Sequence, residues 1–66
     1  MTYTIIFKAL VSSGEVAAVK TFSIETESPF DMVKKRMAFE RMCVEYARLT
    51  GVKCSFAKIL NVMEGE

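Results

Sequence analysis

Two cysteines are the most reactive side chains in this sequence. Cys43 and Cys54 are the thiols of a 66-residue chain that has no histidine. A catalytic thiol needs a nearby base and a positively charged, exposed environment, because the thiolate is the nucleophile. Cys43 stands instead between Met42 and Val44. We therefore expect both cysteines to be unpaired thiols packed in a hydrophobic core.

The other polar residues form no pattern typical of catalysis, metal binding or cofactor binding. Glu40 and Glu45 are five residues apart, so on a helix they point in different directions. A structural zinc site needs four Cys or His ligands, and this chain has only two such residues. The three glycines are isolated, which argues against a phosphate-binding loop. The sequence predicts a protein that is not an enzyme, with no catalytic residue, no cofactor and no metal.

Length and charge are those of a small soluble domain. Sixty-six residues allow one domain, over residues 1–66, and a domain of this size has marginal stability. Such domains usually need a disulfide, a metal or self-association, and the first two are not expected here. We therefore expect a homodimer. The net charge of +1 gives no general attraction to nucleic acid or membranes. We expect a cytoplasmic location, because neither a secretory signal nor a membrane span is apparent.

The hydrophobic pattern predicts three strands and one long helix. Apolar residues alternate over Tyr3–Val11, Val16–Thr26 and Val52–Val62, and the helical pattern lies between the second and third strands. The fold class is therefore α+β, in the order ββαβ, with a three-stranded mixed sheet and the helix packed on one face. We favour the strand order 3-1-2, because the first strand is the most apolar and suits the centre. The order 1-2-3 is the alternative.

The helix has clear start and stop signals. Ser28 fits the N-cap, Pro29 fits the first helical position, and Gly51 fits the left-handed residue that follows the last turn. A wide apolar side is expected to face the core: Met32, Phe39, Met42, Cys43, Tyr46 and Leu49. A basic stripe lies opposite, formed by Lys34, Arg41 and Arg48.

A second apolar strip on the helix exceeds what one sheet face can cover. It consists of Val33, Met37, Val44 and Ala47. A helix on the surface of a domain needs an apolar arc of little more than 100°, and this helix has substantially more. Val33, Met37 and Val44 are therefore candidate interface residues.

The uncovered face of the sheet also carries apolar residues. The alternation pattern assigns Ile6, Leu10, Val19, Ala57 and Ile59 to that face. In the third strand, it assigns Cys54, Phe56, Leu60 and Val62 to the helix side. A contiguous apolar set on an uncovered sheet indicates an interface. Ile6, Leu10, Val19 and Ile59 join the candidate interface residues.

These patterns favour a small non-enzymatic protein-binding module over other classes. The layout is similar to that of accessory proteins of bacteria and phages, including inhibitors of host defence, so an inhibitory or regulatory role is expected on fold analogy alone. The alternative is a nucleic-acid-binding module in which Lys34, Arg41 and Arg48 contact phosphates. Phe39 and Tyr46 are expected in the core, which leaves this stripe without an aromatic side chain for base stacking.

Overall fold

The chain forms one open sheet with a helix on one face. The computed structural model describes residues 1–27 and 31–65, and the elements are, in order, β1 (Thr2–Leu10), β2 (Val16–Glu25), α1 (Met32–Leu49) and β3 (Phe56–Gly65). The α+β class is confirmed. The strand order is β2-β1-β3, the same sheet as the order 3-1-2 counted from its other edge. The expectation of a mixed sheet is wrong, because β1 pairs antiparallel with both neighbours.

A tight turn joins β1 to β2 at the predicted glycine. The Gly14 N–H donates to the Val11 carbonyl at 2.9 Å, and the Val11 N–H donates to the Glu15 carbonyl at 3.0 Å. Gly14 has a φ of +90°, a conformation that glycine adopts readily because it has no Cβ. The turn therefore sets the antiparallel pairing of the first two strands.

The helix begins later than the sequence signals predict. Asp31 is the N-cap, and its Oδ1 accepts a hydrogen bond from the Lys34 N–H at 3.2 Å. Asp31 has φ −107° and ψ 88°, which is not helical, so a continuous helix from Pro29 is wrong. Ser28 and Pro29 themselves lie outside the described residues. A carboxylate at the N-cap also complements the positive end of the helix dipole.

The C-terminal end of α1 follows the prediction. Gly51 has a φ of +89° directly after the C-cap residue Thr50. The Gly51 N–H donates to the Arg48 carbonyl at 3.0 Å, and the Val52 N–H donates to the Ala47 carbonyl at 2.9 Å. These two bonds form a Schellman motif, which satisfies helix carbonyls that would otherwise lack a donor.

The core lies between α1 and the helix-facing side of β1. Ile5, Phe7 and Ala9 are completely buried, and so are Cys43 and Ala47 on the helix. These side chains share one cluster, so the central strand and the middle of α1 hold the domain together. Ala47 was assigned to the second apolar strip, and its burial moves it into the core.

A bulge in β3 changes which side chains reach the helix. The strand begins at Phe56, because residues 52–55 do not form strand structure. Leu60 is an extra residue between the β3 partners of Ile6 and Phe7. Such a bulge shifts the alternation by one residue, and a shift of one exchanges the two faces of a strand.

The predicted faces of β3 are therefore partly reversed. Ala57 and Ile59 are buried against the helix, whereas Phe56 and Leu60 are exposed. The prediction that placed Ala57 and Ile59 on the open face is wrong. Beyond the bulge, Val62 packs against the core as predicted.

Candidate protein-binding surface

The thiols belong to the core, as predicted. Both cysteines are free and buried, and Cys43 lies in the main hydrophobic cluster. Burial, together with the nearby Glu40 carboxylate, raises the pKa of Cys43 to about 12. Its thiol therefore keeps its proton at neutral pH, and a protonated thiol is a weak nucleophile.

The helix side that adjoins β3 carries the most exposed of the predicted interface residues. We call Val33, Met37 and Val44 the β3 flank, because Met37 and Val44 line a groove with Phe56 and Ala57. Val33 is 93% exposed and Met37 is 73% exposed, while Val44 is half-buried against the core. The groove has a volume of about 390 Å³. Two of the predicted interface residues, Met37 and Val44, are thus brought together beside the edge of the sheet, and Val33 lies one turn before Met37 on the helix.

Charged side chains of both signs surround this groove. Glu40, Arg41, Glu45 and Arg48 line it together with the apolar residues. Glu40 accepts a hydrogen bond from Arg36 Nε at 2.8 Å. The lining is electrically balanced, so it favours a partner that is neutral or carries both signs over a polyanion.

The opposite side of α1 combines packed aromatic rings with exposed apolar side chains. We call Met42, Tyr46 and Leu49 the β2 flank, because these residues line a cleft with Phe22 of β2. Tyr46 stacks on Phe22 with ring centroids 5.2 Å apart, and both rings meet Phe7 edge-on. Leu49 was assigned to the core face, but it is 85% exposed, so that assignment is wrong. Met42 is also exposed, which likewise contradicts its assignment.

The uncovered face of the sheet is less apolar than the sequence predicts. Val19 is exposed and Ile6 is half-buried. Leu10 and Ile59 are buried, so the expectation that they lie open to a partner is wrong. Apolar side chains that sequence reasoning missed are exposed in β3: Phe56, Leu60 and Met63. A break in the alternation of the third strand could have identified Phe56 and Leu60, whereas Met63 follows the predicted alternation beyond the bulge.

Two lysines occupy the middle of this face. Lys8 and Lys58 are direct partners across β1 and β3. A partner that covered this face would have to bury two like charges side by side, which carries a large desolvation cost. The charged residues beside the β3 flank are of both signs, so a partner there does not have to cover a pair of like charges, and this flank is the better candidate surface.

The basic stripe remains on the solvent side of α1. Lys34, Arg41 and Arg48 are all exposed. Arg48 Nη2 donates to the Cys54 carbonyl at 3.2 Å, so this guanidinium also holds the segment between α1 and β3. Among residues 1–27 and 31–65, the side chains of the other two predicted phosphate contacts, Lys34 and Arg41, form no hydrogen bond or ion pair.

Metal binding and membrane insertion would each require a characteristic arrangement of residues. There, no three Cys, Asp or Glu side chains converge as a metal-binding set would. Within residues 1–27 and 31–65, no helix combines the length and hydrophobicity that a bilayer span requires. Comparisons with protein-family models, curated proteins and solved structures find no match to this chain.

Proposed function

We propose that this protein is a non-enzymatic protein-binding module and that the β3 flank is its binding surface. The observation that carries the proposal is the exposure of Val33 and Met37, at 93% and 73%, on the same side of one helix. Full burial of a Val or Met side chain is worth about 1.5–3 kcal/mol. Two such anchors beside the half-buried Val44 fit the apolar centre of a protein interface. Regulation or inhibition of the bound protein is the proposed consequence.

The groove beside these anchors supports the same proposal. Phe56, which is exposed, and the buried Ala57 line this groove on the edge strand. Charged residues of both signs surround this apolar centre, an arrangement typical of protein interfaces. The balanced charge gives little reason to expect a polyanion at this position.

Affinity capture with matched variants tests the proposal. The tagged wild-type chain, Met37→Glu and Leu49→Glu are immobilised separately, and the proteins that each retains from the same extract are compared. Leu49→Glu is the matched control, because it places the same charge at an exposed apolar position on the other flank. We expect a protein retained by the wild type and by Leu49→Glu but not by Met37→Glu. Equal retention by all three proteins would contradict the proposal.

The alternative function is tested in the same extract. If the basic stripe binds nucleic acid, the double variant Lys34→Glu/Arg41→Glu should lose nuclease-sensitive material, and retention by the wild type should fall steeply with salt. Arg48 is left unchanged because of its bond to the Cys54 carbonyl. We expect the double variant to retain the same protein as the wild type, with a lower association rate at most. Nuclease-sensitive retention that is lost in the double variant would reverse the ranking of the two functions.

A further inference from the structure

The edge of β3 next to the groove is open to another strand. Among the described residues, β3 pairs only with β1. Beyond the bulge at Leu60, the Val62 N–H donates to the Asn61 Oδ1 at 2.9 Å, so it is not offered to a second chain. The segment before the bulge, residues 56–59, has no such blocking bond in the described structure and adjoins the groove. An edge of this kind is a template for strand addition.

We propose that a second copy of this chain binds here, with the two β3 segments antiparallel about a twofold axis. The proposal rests on the proposed function of the β3 flank and names one occupant for it. A twofold axis normal to the sheet makes one six-stranded sheet and places both helices on the same face. The interface is then self-complementary, as in most closed dimers.

The arrangement requires the two helices to lie at packing distance from each other. The helix packs chiefly against β3, and it also packs against β1 and β2. With neighbouring strands about 4.8 Å apart, a helix axis above the gap between β3 and β1 lies about 5 Å from the dimer axis. The two helices are then about 10 Å apart, the usual distance for packed helices.

The charges on the β3 flank match under the same symmetry. Val44 shares the groove with Phe56 and Ala57 of the edge strand and in this arrangement lies beside the axis. Glu40 is one turn before Val44 and Arg48 is one turn after it, so both line the groove. In an antiparallel helix pair centred near Val44, Glu40 of each copy faces Arg48 of the other. The dimer thus forms two symmetric ion pairs around an apolar centre.

A second copy fits better than an isolated peptide strand. An extended peptide would complete the edge of β3, but it would bring no helix to face Glu40 and Arg48 above the sheet. A copy of this chain supplies a strand at the sheet and a helix flank at the matching height. It also supplies the opposite charge at each position, because the same two residues recur in reverse order.

Charge reversal and mixing test the dimer. Light scattering over a concentration series should show the wild type moving from 7.4 kDa towards twice that mass. Glu40→Arg alone and Arg48→Glu alone should each weaken the dimer about tenfold or more, because each change turns two attractive pairs into two repulsive ones. An equimolar mixture of the two variants should recover dimerisation, since the mixed dimer has opposite charges at both pairs. A general folding defect could not produce that recovery.

If circular dichroism shows that Arg48→Glu is unfolded, a cysteine variant tests the dimer instead. Val44→Cys should form a covalent dimer with a short bis-maleimide cross-linker, whereas Leu49→Cys on the other flank should not. A wild type that stays at 7.4 kDa at millimolar concentration, or a mixture no better than its components, overturns the dimer. Capture of a different protein that depends on Met37 would still support the proposed function, so the two failures are distinguishable.

Discussion

On the β2 flank of α1, the Tyr46 ring stacks on Phe22 and meets Phe7, so aromatic side chains join helix and sheet. On the β3 flank, Met37 and Val44 line an open groove beside an edge strand. Both flanks carry exposed apolar residues, but on the β2 flank aromatic rings also join the helix to the sheet. Apolar surface that the fold itself uses should matter for stability. Apolar surface that the fold leaves open should matter for binding.

The largest expected difference between the flanks is in stability. Tyr46→Ala removes a ring with two aromatic contacts and should lower the free energy of unfolding by about 3 kcal/mol. Met37→Ala removes a side chain that is 73% exposed and should change stability by no more than about 0.5 kcal/mol. Thermal denaturation of both variants measures the difference, which should exceed roughly 10 °C. Equal losses would mean that the β3 flank also supports the fold.

Cys43 lies between the two flanks and reports whether the helix stays on the sheet. Its pKa is raised from 9.0 to about 12, so above pH 9 the folded chain keeps a proton that the unfolded chain loses. The folded state then binds more protons, and its stability falls as pH rises, by up to about 1.4 kcal/mol per pH unit. Denaturant unfolding below and above pH 9 measures this slope. Cys43→Ala should reduce it, and an unchanged slope in that variant would show that other groups cause it.

The N-cap supports both flanks equally and should have a smaller effect. Asp31→Ala removes the acceptor for the Lys34 N–H and should cost about 1 kcal/mol, or roughly 4–8 °C in Tm. Asp31→Asn keeps a good N-cap side chain and serves as the control. Partner capture by Asp31→Ala should be unchanged at a temperature where it is folded. A selective loss of capture would place the binding surface near the start of the helix.

The sequence predicted the α+β class and the order of the elements, but not the fully antiparallel sheet. The turn at Gly14 and the end of the helix at Gly51 follow from one residue type each, because only glycine adopts their positive φ readily. The central position of β1 follows from its apolar composition. The helix start was misjudged, because Ser28 and Asp31 are both good N-cap residues and local sequence does not rank them.

The faces of β3 could not be predicted, and this affects the candidate surface. A strand pattern assumes strict alternation, whereas Leu60 adds one residue to the strand. Val33 and Met37 were assigned correctly to a spare strip, because helix periodicity alone places them away from Cys43. Leu49 was assigned to the core by the same periodicity, but this last residue of the helix is 85% exposed.

The most direct test of the β3 flank is an NMR dilution series on the wild-type chain. Amide signals are assigned and followed from micromolar to millimolar concentration, where a weak dimer changes its population. If the β3 flank forms the dimer, we expect the amide signals of Met37, Val44 and Phe56 to shift with concentration, whereas those of Met42 and Leu49 should not. Shifts confined to Met42 and Leu49, or to Lys8 and Val19 on the open face, would contradict this expectation.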